Sequence, residues 1–258
     1  MKNITKLFLF LYLCLNLISC SKISPKGEIE VKDKSVENFA KLNLKGNFKV
    51  FFAKGNQNIV SVETYPNIYK NLVIEVENGI LTIEENRKPE NVDFYSITIF
   101  GKNDLSEISL ADQVEMNVSG QVKSPNFSLN LKDNSKFMGA VISEKSSVEM
   151  TQKANANILG ETKNLNLKLT DSASIMAPYF YVENLELNAK NDASAGLNID
   201  NEMKGTLENT SKLIFYGETQ NKIITYRAVV ITLLMLSSVI MATITGCNKD
   251  NSVQPSGS

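Results

Sequence analysis

Apolar and polar residues alternate along most of this chain with the two-residue period of strands, not the three-and-four spacing of amphipathic helices. From Phe39 onward the pattern recurs in Phe48-Lys-Val50-Phe-Phe52, in Leu72-Val-Ile74-Glu-Val76 and in Ser96-Ile-Thr-Ile-Phe100, the last closed by Gly101. Asn78-Gly79 sits between Ile74-Glu-Val76-Glu and Leu81-Thr-Ile83. Asn-Gly accepts the positive φ angles of a type I′ turn, so a hairpin is predicted there. No segment between residues 35 and 220 carries a helical period of useful length, and the predicted architecture is all-β.

The second half of the chain repeats itself. Polar corners at Asp112, Asp133, Lys153, Asp171, Asp192 and Asn209 fall 21, 20, 18, 21 and 17 residues apart. Periods near 20 belong to solenoids. Four corners open similar tetrapeptides: Asp133-Asn-Ser-Lys, Asp171-Ser-Ala-Ser, Asp192-Ala-Ser-Ala and Asn209-Thr-Ser-Lys. Ahead of the corners run alternating strands, Phe127-Ser-Leu129-Asn-Leu131, Leu165-Asn-Leu167-Lys-Leu169 and Leu185-Glu-Leu187-Asn-Ala189. One unit alone exposes an apolar face that becomes core only when the next unit stacks on it, so a parallel β-helix or solenoid is predicted. Six coils about 4.8 Å apart make a stack roughly 25–30 Å long.

Both ends break this pattern. Lys2 and Lys6 precede an uncharged apolar run from Leu7 to Ile18, which is short for a membrane span and suited to the core of a signal peptide. The run ends in Leu17-Ile18-Ser19-Cys20, similar to a bacterial lipobox, whose cysteine takes a diacylglyceryl group and becomes the first residue of the mature chain. Cys20 is therefore the expected lipidation site. At about 0.8 kcal/mol per buried methylene, several acyl chains make a stable anchor. At the other end, Ala228 to Gly246 carries no charge and follows Lys222 and Arg227. Two readings stay open for it: a transmembrane helix, or a second signal segment joined on, because Ile244-Thr245-Gly246-Cys247 repeats the lipobox pattern.

Composition removes several functions. The only cysteines are Cys14, Cys20 and Cys247, so the stretch from Ser21 to Gly246 can hold neither a disulfide nor a thiolate metal site. Lys plus Arg number 27 against 28 Asp plus Glu, interspersed along the chain. That leaves no basic stripe for nucleic acid. Histidine is absent, which removes the commonest general base and metal ligand. No enzyme, cofactor or metal is expected.

Some side chains still invite chemistry. Asp112, Asp133, Asp171 and Asp192 recur once per coil and would line one edge, where carboxylates could gather calcium; hard oxygen sites need six to eight ligands, and Asp, Asn and Ser at corners more simply cap turns. Ser172 in Asp171-Ser172-Ala173 matches a three-residue O-glycosylation pattern of exported proteins, and equally a turn. Glu75 with Glu77, or Glu84 with Glu85, offers the paired carboxylates of a glycosidase, although alternation puts Glu75 and Glu77 on the solvent face of one strand. Tyr65, Tyr69, Phe94, Tyr95, Tyr179, Phe180 and Tyr181 are candidate sugar-stacking rings or core aromatics.

The order of these segments resembles a known family. Phe39-Ala-Lys-Leu-Asn-Leu-Lys-Gly46-Asn-Phe-Lys-Val, then Asn78-Gly79-Ile-Leu-Thr-Ile83, then Ile97-Thr-Ile-Phe-Gly-Lys-Asn-Asp-Leu105-Ser-Glu-Ile108, then Asp-x-Ser coils, is similar to the head GIN domain over about residues 35–217. That family is described as auto-transporter adhesins and is abundant in exported Bacteroidetes lipoproteins. The resemblance implies a β-helical fold with an adhesive or envelope role, and it brings no catalytic residue. The expected organisation is a signal peptide over 1–20, a tether over 21–34, the β-solenoid over 35–217, the apolar segment over 227–247 and a polar tail over 248–258. The expected protein is a non-enzymatic lipoprotein of the cell envelope, held to a membrane, the outer one above all, by lipid. Its solenoid would bind a glycan or an envelope protein. An envelope assembly component and a carbohydrate-active enzyme are the alternatives.

Overall fold

A computed structural model describes residues 22–227, 229–236 and 239–246. Cys20, Cys14 and Cys247 lie outside the described residues, as do the signal peptide and the polar tail. Strands account for 67% of the structure and helix for 2%, which settles the all-β class. The one helical turn described, α1 (Pro66–Tyr69), opens on a proline whose missing N–H is not needed there.

The amino-terminal strands are β1 (Glu30–Ser35), β2 (Lys41–Gly46), β3 (Lys49–Lys54), β4 (Ile59–Thr64), β5 (Leu72–Glu77), β6 (Ile80–Glu85) and β7 (Ser96–Gly101). The predicted hairpin is present: β5 and β6 pair antiparallel around Asn78 and Gly79, whose φ angles are 51° and 75°. The repeating region follows as β8 (Glu107–Asp112), β9 (Glu115–Lys123), β10 (Asn126–Leu131), β11 (Lys136–Met150), β12 (Asn155–Leu169), β13 (Ser174–Ala189), β14 (Ser194–Glu208), β15 (Lys212–Tyr216) and β16 (Asn221–Arg227). These wind into a β-solenoid of about 6 turns with coils of roughly 19 residues.

Two parallel ladders run up the solenoid. One passes from β6 through β2, β8 and β10 into the second halves of β11 to β14 and on to β16. The other passes from β7 through β3 and β9 into the first halves of β11 to β14, then β15. In register, inward residues form vertical stacks. Leu42, Ile108, Leu129, Val148, Leu167 and Leu187 succeed one another in the first ladder, all buried. In the second ladder Phe137, Ala156, Ile175, Ala195 and Leu213 alternate large with small, which lets neighbouring layers interdigitate.

The corners explain the period. Asp112, Asp133, Gln152, Asp171, Asn191 and Asn209 all have φ between 58° and 63°, in the left-handed region that Asn and Asp tolerate best. Two corners thus sit one residue before the expected Lys153 and Asp192. The residue two places beyond each left-handed position is fully buried: Val114, Ser135, Ala154, Ala173, Ala193 and Ser211. From Ser135 onward it must be small, because it turns under the coil where the backbone closes in. Ser135 Oγ and Ser211 Oγ satisfy their burial by donating to Lys132 O at 2.7 Å and Glu208 O at 2.9 Å.

Two boundaries differ from expectation. Residues 22–34 are not a free tether: Ile23 is 8% exposed and pairs with Pro89, its N–H donating to Lys88 O at 3.2 Å, and β1 pairs antiparallel with β4. One buried apolar side chain and the backbone ladder of an otherwise exposed strand are enough to dock this segment. The solenoid also continues past Gly217, since β16 stacks in parallel on β14. Beyond it β17 (Val229–Leu236) and β18 (Val239–Gly246) pair antiparallel, and among the described residues no helix is long and apolar enough to cross a membrane.

Candidate binding groove on the solenoid

Outward residues stack in register just as inward ones do, and one outward row creates a groove. Lys41, Glu107, Ser128, Ser147, Asn166, Glu186 and Lys204 succeed one another on adjacent strands of the first ladder. The middle of this row is short and polar while its ends are long and charged. The result is a depression of about 800 Å³ floored by Ser128, Ser147 and Asn166. One end is closed by the ion pair of Lys41 with Glu107 at 3.0 Å, the other by Glu186, Glu202 and Lys204.

The wall on the bend side is an amide ladder. Asn201 Nδ2 donates to Asn184 Oδ1 at 2.8 Å, Asn184 Nδ2 reaches Asn164 Oδ1 at 3.4 Å, and Asn164 Nδ2 reaches Glu144 O at 3.4 Å. Behind it the bend is pinned by buried hydroxyls, Ser143 Oγ lying 2.7 Å from Ser146 Oγ and donating to Thr162 Oγ1 at 2.8 Å. Amides and hydroxyls that repeat once per strand offer donors and acceptors to a long polar ligand laid along the stack. The exposed aromatics Phe51, Phe94, Phe100, Tyr179 and Tyr181 do not line this groove. Tyr181 lines a second hollow with Glu161, Glu183 and Asp200 around the bend.

The corner carboxylates bridge coils rather than their own turns: Asp133 Oδ2 accepts from the Asp112 N–H at 3.0 Å, and Asp171 Oδ2 from the Gln152 N–H at 3.3 Å. Asn191 Nδ2 donates to Asp171 Oδ1 at 3.1 Å and Asn209 Nδ2 to Asn191 Oδ1 at 2.9 Å, so the edge is a ladder of side-chain bonds. Asp192 instead faces the Thr210 hydroxyl. Among the described residues no group of three or more His, Cys, Asp or Glu is arranged to hold a metal ion. Ser172 is exposed at its corner. Glu75 and Glu77 share the solvent side of β5, as alternation requires. Of the candidate rings, Tyr95 and Phe180 are core, Tyr65 and Tyr69 are half-buried against it, and Phe94, Tyr179 and Tyr181 are exposed.

The profile of the family described as "Putative auto-transporter adhesin, head GIN domain" matches residues 38–219. The chain belongs to the head GIN domain family. A search of curated proteins finds no match. Among solved structures it is similar to a putative adhesin from Bacteroides fragilis, with a TM-score of 0.69 and 15% identity over 80% of this chain and 96% of that one. A putative adhesin from Parabacteroides distasonis gives 0.65, again at 15% identity, covering 80% and 98%. A putative lipid binding protein from the same species gives 0.59 at 15% identity, covering 80% and 97%. At such identities the likeness concerns the fold.

Glu85 of this head GIN domain is a half-buried carboxylate. Its neighbour Glu84 faces solvent and receives Lys45 Nζ at 2.8 Å, while Glu85 turns inward beside Tyr95. Burial is the main cause that pushes the Glu85 carboxyl from 4.5 up to about 7, against the opposing pull of the Asn47 N–H and the Tyr95 hydroxyl. Glu85 Oε1 and the Tyr95 hydroxyl lack a hydrogen-bond partner of good geometry. The same burial raises Tyr95 far above the ordinary tyrosine range.

A pH dependence follows from Glu85. The folded protein keeps a proton on Glu85 that the unfolded chain releases near pH 4.5, so the contribution of this group to stability is fully present below that value and is lost as pH rises through about 7. Glu85→Gln is expected to leave the urea midpoint unchanged at pH 4 and to raise it at pH 8. A lower midpoint at pH 8 would show that the charged carboxylate is stabilising.

Proposed function

We propose that the protein is a non-enzymatic, lipid-anchored adhesin of the cell envelope that holds an extended glycan in the groove floored by Ser128, Ser147 and Asn166. The observation that carries this reading is the groove itself, which crosses seven successive strands from Lys41 to Lys204 and repeats short polar groups at the coil spacing. A polymer with a similar repeat of hydroxyls meets equivalent partners on coil after coil, and weak contacts add. Membership of a family described as adhesins agrees with it. The carboxylates of the groove belong to its charged ends, with Glu107 engaged by Lys41. The floor of Ser128, Ser147 and Asn166 carries no carboxylate, so along most of its length the groove is suited to binding and not to hydrolysis, which needs two carboxyl groups facing one bond.

The mature acylated protein is expected to bind at least one member of a panel of immobilised envelope glycans. Ser147→Phe, which fills the floor, should weaken that binding tenfold or more without changing the melting temperature. Retention of one envelope protein, with every glycan silent, would replace the adhesin by an assembly component; release of reducing sugar would make it an enzyme.

The lipid anchor is assigned to Cys20 by the segment Leu17-Ile18-Ser19-Cys20. Cys20→Ser in a Cys247→Ser background should abolish incorporation of labelled palmitate. Continued labelling of that double variant would remove Cys20 from the account.

A further inference from the structure

Cys20 precedes a segment that is fastened to the body almost at once. Lys26 N–H donates to Asn67 Oδ1 at 2.8 Å, and Asn67 Nδ2 donates back to Ser24 O at 2.8 Å. Glu90 N–H donates to Ile23 O at 3.0 Å, completing the bridge on the other side. Only Ser21 and Lys22 lie between Cys20 and Ile23, and three Cα-to-Cα steps reach at most about 11 Å. Whatever holds Cys20 at a bilayer therefore holds this corner of the body against it.

The corner has a distinctive charge. A hollow of about 640 Å³ is lined by Lys22, Lys26, Lys70 and Arg87 together with Ser24 and three asparagines, and by no carboxylate. Lys88 is also exposed in the adjoining strand of chain, and Glu90 pairs with Lys22 at 3.0 Å. In a chain whose positive and negative charges otherwise balance, with a net charge of -1, this is a local excess of cations. Asn71 fixes one side of it: its Nδ2 donates to Arg87 O at 2.7 Å and its Oδ1 accepts from the Arg87 N–H at 3.1 Å.

We propose that this hollow is a membrane-contact surface in which Lys22, Lys26, Lys70 and Arg87 engage the phosphates of anionic phospholipid headgroups beside the acylated Cys20. The inference rests on the anchor reading of the preceding section. The acyl chains keep the protein on the bilayer, and the cations set which way up it stands, with the solenoid and its groove pointing away. Three or four cations at an anionic surface strengthen attachment on the order of a hundredfold at low salt. The effect is electrostatic and is screened within about 10 Å at 0.1 M salt.

The test uses the acylated full-length protein, extracted from membranes and reconstituted into vesicles of phosphatidylcholine alone or with one third phosphatidylglycerol. Hydrogen exchange is followed at residues 66–71 and 86–90. In the anionic vesicles exchange is expected to slow about tenfold relative to the neutral ones, and 0.5 M sodium chloride should remove the difference. Lys26→Glu with Lys70→Glu and Arg87→Glu should also remove it while palmitate labelling persists. Equal exchange in both vesicles for a palmitate-labelled protein overturns the surface and leaves the anchor standing. Absence of palmitate from Cys20 overturns the anchor and this proposal with it.

Discussion

Gly205→Ala is expected to destabilise the protein by about 4 kcal/mol or more, at the extreme of single substitutions. Gly205 sits in β14 between Leu187 below and Ile224 above, with a φ of +144°. A Cβ there would lie 1.8 Å from Leu187 O and 2.7 Å from Leu187 C. Those atoms are backbone of the adjacent coil, held by the ladder, and cannot swing aside as a side-chain tip would. The chain must either force the neighbouring coils apart or move Gly205 to a φ that breaks the register, and both choices disturb the stacking of β16 on β14. Gly120→Ala is the control. Its φ is +83°, yet nothing lies within 4 Å of the added carbon, so only the left-handed backbone penalty of about 1–2 kcal/mol applies. Urea midpoints for the pair separate steric conflict between coils from backbone preference. Equal losses would mean that the coils are not packed at ladder distance near Gly205.

Leu167→Ala should cost about 2–5 kcal/mol, from lost transfer energy plus the cavity left behind. Leu167 is fully buried and stacks between Val148 and Leu187 in register. Its neighbours above and below belong to continuous strands, which limits how far the site can collapse around a void. Lys168 is exposed on the other face of the same strand, and Lys168→Ala should change stability by less than about 0.5 kcal/mol. A one-residue slip of register would exchange these two outcomes. Denaturant midpoints showing both substitutions equally mild, or the lysine change the more damaging, would remove residues 165–169 from the core.

These two sites also mark how much the sequence makes legible. The strand carrying Leu165, Leu167 and Leu169 was readable because alternation reports burial directly, one side chain at a time. The corners were readable only to within one residue at two coils. Asp192 and Lys153 look like corner residues by type, but Asn191 and Gln152 hold the left-handed position. The residue that decides is two places later, where Ala193 and Ala154 are buried. Small buried residues two beyond each corner, Ser135, Ala173 and Ser211 among them, are a signal that aligning on the acidic residue conceals. The groove was not readable from any one strand. Ser128, Ser147 and Asn166 are unremarkable where they stand in the chain, and become a floor only when parallel register sets them side by side. The docking of Ile23 escaped for a related reason, since a lone apolar residue in a polar stretch carries no period. Glu85, by contrast, was within reach of alternation, since it shares the face of the buried Leu81 and Ile83 in β6 while Glu84 lies on the other face.

The central claim is that the protein works by holding an extended polymer along its coils, and the most direct measurement is the dependence of affinity on ligand length. The groove crosses seven strands from Lys41 to Lys204. Six intervals of about 4.8 Å make it roughly 29 Å long. For a size series of oligosaccharides from the glycan selected by the binding panel, titration calorimetry should show affinity rising with each added sugar until the ligand spans about that length, and no further gain beyond it. The rise should vanish in Ser147→Phe. Affinity that is the same for the shortest and longest oligosaccharides, or that survives Ser147→Phe unchanged, would contradict the groove as the binding site.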